Sequence, residues 1–179
     1  MPTIALIDDE ELILKSLKRL LRKTDWEVMT FTDPAIALDA LANQRIDIVV
    51  SDYRMPQMTG VEFLNQFKRD HPDTLRIILS GQADMQGVLN AVNESEVYRY
   101  VLKPWEDDEL LHTLKTAMKF NDLLRENAEL AEIVRVQRSR LKRQQAELNR
   151  LEQEMPGITH IERDADGLID LSDEADDIV

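Results

Sequence analysis

The segment Ile46-Asp47-Ile48-Val49-Val50-Ser51-Asp52 decides how this chain folds. Its middle is apolar and β-branched, and it shows no strict alternation of apolar and polar residues. A strand with one wet face alternates, because successive side chains point to opposite sides. A strand covered on both faces reads instead as a short continuous apolar run. Residues 46–52 are therefore expected in a parallel sheet flanked by helices, and the run ends on a carboxylate, Asp52.

Four further runs read alike: residues 3–8, 26–31, 75–80 and 97–102. Helix signals separate them. Asp33-Pro34 supplies an N-cap followed by proline at the first helical position. Thr59 and Glu62 have capping-box spacing ahead of Phe63, Leu64 and Phe67. Asp84 can cap a helix carrying Val88, Leu89 and Val92. Leu12, Leu14, Leu17, Leu20 and Leu21 are expected to form the apolar stripe of the first helix. Strand and helix alternate five times, which predicts an α/β fold with a doubly wound parallel sheet of five strands.

Residues 107–155 contain neither proline nor glycine and read as one long helix, stopped by Pro156-Gly157. A heptad fits its latter part. Phe120, Asn127, Val134, Leu141, Leu148 and Met155 fall at position a. Leu123, Leu130, Gln137, Gln144 and Leu151 fall at position d. Leu130, Val134, Leu141, Leu148 and Leu151 would lie in water on a lone helix, and Asn127 at an a position suits a two-stranded coil. Three regions are expected: a globular domain over 1–119, a parallel homodimeric coiled coil over 120–155 growing out of the last helix, whose e and g charges do not themselves settle the orientation, and an acidic tail over 156–179. The tail segment 162–173 only partly matches a calcium loop, and no helix follows it.

The chain of 179 residues carries a net charge of −13 and no cysteine. Disulfides and thiolate metal sites are thereby excluded. The charge argues against general affinity for nucleic acid or anionic lipid. Basic residues cluster at Arg135, Arg138, Arg140, Lys142 and Arg143, but no aromatic interleaves them to stack on bases. No apolar run reaches the length of a membrane span, and the first residues are not a secretion signal. A cytoplasmic protein with no membrane and no nucleic-acid partner is expected.

The ends of the strands carry the chemistry. Asp8 and Asp9 follow the first run, Asp52 ends the third, Ser80 ends the fourth, and Lys103-Pro104 follows the fifth. In a doubly wound sheet these carboxyl ends share one edge, where sites gather. Two carboxylates about 4 Å apart repel by roughly 4 kcal/mol at an effective dielectric near 20. Such a cluster shifts its proton affinities or binds a cation, and oxygen ligands with room for water suit Mg²⁺. Asp52 would then be a nucleophile forming an acyl phosphate. Lys103 would pair with one phosphoryl oxygen and Ser80 would donate a hydrogen bond to another.

These residues resemble the receiver domain of bacterial two-component response regulators. The matching pieces are Ile7-Asp8-Asp9-Glu10, Asp52-Tyr53-Arg54-Met55-Pro56 with Gly60, Ser80-Gly81, and Tyr100 three before Lys103-Pro104. The resemblance covers about two-thirds of the chain. It implies a flavodoxin-like sheet of order 2-1-3-4-5, phosphorylation of Asp52 by a histidine kinase or phosphotransfer protein, and no enzymatic role beyond the domain's own phosphorylation and dephosphorylation. It also implies Mg²⁺ held directly by Asp9, Asp52 and the backbone carbonyl of Arg54, with Asp8 acting through water. The Lys103-Pro104 bond is expected to be cis, and Ser80 and Tyr100 are expected to form a switch pair. Trp105 after Lys-Pro resembles receivers joined to cyclic-dinucleotide phosphodiesterase or transcription-activator modules. Output would pass from the dimeric coil to an unidentified downstream protein. Two rivals are a non-switching dimeric scaffold built on a receiver and an aspartyl-phosphate phosphohydrolase. Hydrolases of the haloacid-dehalogenase type place the nucleophile in an Asp-x-Asp arrangement after the first strand, and this chain has Asp8-Asp9-Glu10 there.

Overall fold

The computed structural model describes residues 1–81 and 96–155. The helix expected around Asp84, the Pro156-Gly157 stop and the acidic tail lie outside the described residues. Five strands, β1 (Thr3–Ile7), β2 (Glu27–Phe31), β3 (Ile48–Asp52), β4 (Leu75–Gly81) and β5 (Arg99–Lys103), form one sheet of order β2-β1-β3-β4-β5. All pairings are parallel, with Ile4 opposite both Val28 and Ile48, and Ile77 opposite Arg99. Labelled by the described residues, the helices are α1 (Glu11–Leu21), α2 (Pro34–Leu41), α3 (Gly60–Asp70) and α4 (Asp107–Glu154).

The two-residue period of the strands sorts their side chains between two cores. Ile4, Leu6, Ile48, Val50, Ile77 and Leu79 face one side, under α1 and the first turns of α4. Ala5, Ile7, Val49 and Ile78 face the other, under α2 and α3. Strands buried on both faces thus account for the continuous apolar runs. Caps fix where the helices begin. The Asp33 side chain accepts from the Ala35 and Ile36 amides, ahead of Pro34. Thr59 and Glu62 make the full capping box, 3.2 Å from the Glu62 amide to Thr59 and 2.8 Å from the Thr59 amide to Glu62.

One residue of the expected α1 stripe departs from it. Leu14, Leu17, Leu20 and Leu21 are buried, whereas Leu12 is 77% exposed. Residues two positions apart on a helix are about 200° apart around the axis, so Leu12 cannot share a face with Leu14.

The chain divides into two compact units, Met1–Glu126 and Asn127–Val179. Within the first, α4 packs on the sheet through Leu110, Leu111, Leu114, Ala117 and Met118. That packing continues past residue 119. Phe120 stacks on Tyr98 with ring centroids 5.4 Å apart, and Asn121 is buried. The buried Asp47 carboxylate accepts from the Thr3 amide at 2.8 Å and from Asn121 Nδ2 at 3.3 Å, and pairs with Arg125 at 3.4 Å. In the second unit, Asn127–Glu154 is helical and exposes Leu130, Val134, Leu141 and Leu148. Surface pairs such as Arg135–Glu132 and Arg150–Glu147 line this helix at the i, i+3 spacing. Among the described residues no helix is long and apolar enough to cross a membrane.

Candidate functional site

The strand order reverses between β1 and β3, so their carboxyl ends border the crevice where doubly wound sheets bind ligands. Asp8 directly follows β1 and Asp52 ends β3; both are buried. Ser80 lies in β4 and Lys103 ends β5. The Lys103 ammonium bridges the two carboxylates, 2.7 Å from Asp8 Oδ2 and 2.5 Å from Asp52 Oδ1. The Lys103-Pro104 bond is cis.

Backbone amides take the remaining carboxylate oxygens. Glu10 donates to Asp8 Oδ1 at 2.9 Å, and Arg54 donates to Asp52 Oδ2 at 2.7 Å. The loop after β3 is tied down by Tyr53 donating to the Leu79 carbonyl and Gly60 donating to the Tyr53 carbonyl. Gly60 sits so close to Asp52 that a Cβ there would overlap the Asp52 carbonyl oxygen. The Ser51 hydroxyl donates to that same oxygen at 3.0 Å. Ser51 is a supporting residue that the sequence reading passed over; its only signal was a hydroxyl inside an otherwise apolar run.

Burial raises the pKa of Asp8 above the ordinary carboxylate value, against the pull of Lys103 and the Glu10 amide. Burial also works against the Lys103 ammonium, but Asp52 and Asp8 outweigh it and hold its pKa above the ordinary lysine value. The Ser80 hydroxyl is fully buried and, among the described residues, has no hydrogen-bond partner. Asp9 is exposed at the rim. Tyr100 is partly exposed beside a cavity of about 500 Å³ that Trp105 and Pro104 also line.

The structure thus brings Asp8, Asp52 and Lys103 together and leaves Asp9 apart from them. Among the described residues, no three acidic, histidine or cysteine side chains already gather around one point. The donor chemistry nonetheless suits a hard divalent cation: Asp8 and Asp52 outnumber the one ammonium, Asp9 adds a third carboxylate one residue along the chain, and the available ligand atoms are oxygens.

The family model for the response regulator receiver domain matches residues 4–115. The chain belongs to that family. It is 35% identical over 121 residues to the hydrogenase transcriptional regulatory protein HoxA of Cupriavidus necator, across 68% of this chain and 25% of that protein. It is 33% identical over 116 residues to the transcriptional regulatory protein FixJ of Bradyrhizobium diazoefficiens, across 65% of this chain and 56% of that protein. The match to HoxA therefore spans about a quarter of that relative's length. Among solved structures, the signal receiver domain of an HD domain-containing protein from Pseudomonas fluorescens Pf-5 is 38% identical with a TM-score of 0.66, covering 70% of this chain and 92% of that one. An uncharacterized protein from Neptuniibacter caesariensis is 41% identical with a TM-score of 0.67, covering 70% of this chain and 93% of that one.

Proposed function

We propose that this chain is a response regulator whose Asp52 accepts a phosphoryl group from a histidine kinase or phosphotransfer protein. The observation that carries the reading is the Lys103 ammonium bridging Asp8 and Asp52, with the buried Ser80 hydroxyl, which has no hydrogen-bond partner among the described residues, on the strand between β3 and β5. A carboxylate oxygen of Asp52 attacks the phosphorus of a phosphohistidine. The oxygen–phosphorus bond forms, the nitrogen–phosphorus bond breaks, and the histidine nitrogen keeps the electron pair and takes up a proton from solvent. Lys103, already held at the pocket by two carboxylates, pairs with a phosphoryl oxygen as the charge on Asp52 moves outward. Ser80 donates its hydroxyl hydrogen to another.

Asp9, Asp52 and the Arg54 carbonyl would hold Mg²⁺ directly, with Asp8 acting through water. When bound, the cation offsets the negative charge that the carboxylates and phosphoryl oxygens share. Ser80 and Tyr100 form the switch pair: Ser80 turns to the phosphoryl group, and Tyr100 moves inward from its partly exposed position. The domain carries out no reaction on other substrates.

Output runs through residues 120–155, which pair two copies of the chain, and an unidentified downstream protein reads the pair. The exposed apolar residues of that helix support this reading. The net charge and the lack of aromatics among the basic residues 135–143 favour a protein over a nucleic-acid partner.

Phosphoramidate, which carries a nitrogen–phosphorus bond, tests the reaction without a kinase. With Mg²⁺ the intact mass rises by one phosphoryl group in the wild type and stays unchanged in Asp52→Asn. An equal gain in Asp52→Asn contradicts the proposal.

A further inference from the structure

The e and g charges do not fix the orientation of the pairing of two chains proposed above, and the polar residues of the seam settle both orientation and register. We infer that the helix Asn127–Glu154 pairs with a second copy in parallel and in register, because three polar seam residues find matching partners only that way.

The seam comprises Asn127, Val134, Leu141, Leu148 and Met155 at a, and Leu130, Gln137, Gln144 and Leu151 at d. Leu130, Val134, Leu141, Leu148 and Met155 are all exposed. A leucine-sized side chain removes roughly 60–120 Å² of apolar surface from water when covered. The six apolar positions on each of two helices give roughly 700–1,400 Å², and the three polar positions add to it, which reaches the about 1,000 Å² that a specific interface needs. A second copy of the same helix is therefore an adequate occupant.

In a parallel pair without stagger, a faces a and d faces d. Asn127 then meets Asn127 of the second copy, Gln137 meets Gln137, and Gln144 meets Gln144. Each amide carries both donors and an acceptor, so each pair can satisfy itself. Shifting one helix by a heptad sets Gln144 against Leu151 and Asn127 against Val134. An antiparallel pair sets every d residue against an a residue. Two glutamines seven residues apart then need two polar a residues seven apart. The a positions supply only Asn127. At least one glutamine amide would be buried against an apolar side chain, carrying its full desolvation penalty. In the parallel pair Glu147 and Glu152 are like charges across the rim, a contact that water and salt screen. The buried amides outweigh it.

The chain has no cysteine, so single introduced thiols report pairing directly. Val134→Cys and Leu151→Cys are each oxidised mildly, and molar mass is measured by light scattering before oxidation. The expected result is dimeric mass and a predominantly covalent dimer for each variant alone. Dimeric mass with no self-crosslinking at either position overturns the parallel register while leaving the dimer intact. Monomeric mass overturns the dimer itself. A second set joins Asn127→Leu, Gln137→Leu and Gln144→Leu in one chain. Mixing Val134→Cys with Leu141→Cys in that background is expected to give the heptad-shifted crosslink, which the unaltered polar layers suppress. Equal shifted crosslinking in both backgrounds overturns the role assigned to the amides.

Discussion

The Nζ of Lys103, at the end of β5, stands 2.5 Å from Oδ1 of Asp52, at the end of β3. Two strands that are not neighbours in the sheet thereby meet at one charge pair, with β4 running between them. Asp8 shares the same ammonium. Replacing Lys103 by methionine keeps most of the stem and removes the charge. Removing one preorganised donor from a transfer site typically costs 10²–10³ in rate. Lys103→Met is expected to slow phosphorylation by phosphoramidate at least about 100-fold, read by intact mass over time. Wild-type rates in this variant contradict the role given to Lys103.

Gly60 bears on the same aspartate from the other side. A Cβ at this position overlaps the Asp52 carbonyl oxygen, and backbone cannot give way as a flexible side chain can. Overpacking of this kind costs about 1–3 kcal/mol. Gly60→Ala is expected to lower the urea midpoint by a corresponding amount and to slow phosphorylation. An unchanged midpoint contradicts the close approach.

Asp47 holds α4 on the sheet at the opposite edge. It accepts hydrogen bonds from Thr3 and Asn121, and Arg125 adds a partly exposed ion pair. Asp47→Ala leaves the Thr3 amide and the Asn121 amide without this acceptor. Each unsatisfied buried group costs about 1–3 kcal/mol; the Arg125 pair, at 44% side-chain exposure, adds little. A loss of about 3 kcal/mol is expected, together with faster hydrogen exchange in residues 119–125. Asn121→Leu is expected to reproduce part of both effects.

The capping box of α3 makes a pH prediction. Hydrogen bonds from the Thr59 amide and hydroxyl hold the Glu62 pKa below the ordinary glutamate value. A depressed folded-state pKa means stability that is present above the unfolded value and lost as pH falls through the folded one. The stability difference between wild type and Glu62→Gln, which cannot titrate, is therefore expected to shift against the wild type as pH drops below the glutamate range. Removing the cap oxygen in Thr59→Ala is expected to cost about 1 kcal/mol at neutral pH.

Much of this architecture was legible because its causes are local. Strands covered on both faces must be apolar throughout, and Ile48-Val49-Val50 reads so without tertiary knowledge. Thr59 with Glu62 and Asp33 with Pro34 announce helix starts because a cap satisfies amides only a few residues away. The placement of Asp8, Asp52 and Lys103 follows from the same logic, since parallel strands bring their carboxyl ends to one edge. What escaped the sequence depends on residues far apart. Asp47 reads as an ordinary polar residue, because its partners Asn121 and Arg125 come more than 70 residues later. Phe120 fits an a position by spacing, yet stacks on Tyr98 in the first unit. Spacing alone also put Leu12 with Leu14, although the helix turns it to the opposite side.

The central claim is that the phosphoryl group resides on Asp52. The direct measurement is borohydride reduction of the phosphorylated chain followed by peptide mass mapping, since borohydride converts an aspartyl acyl phosphate to homoserine. The predicted result is homoserine at position 52 and no modification elsewhere. Phosphate retained on Ser80 or His71, or homoserine at position 8 or 9, contradicts the account.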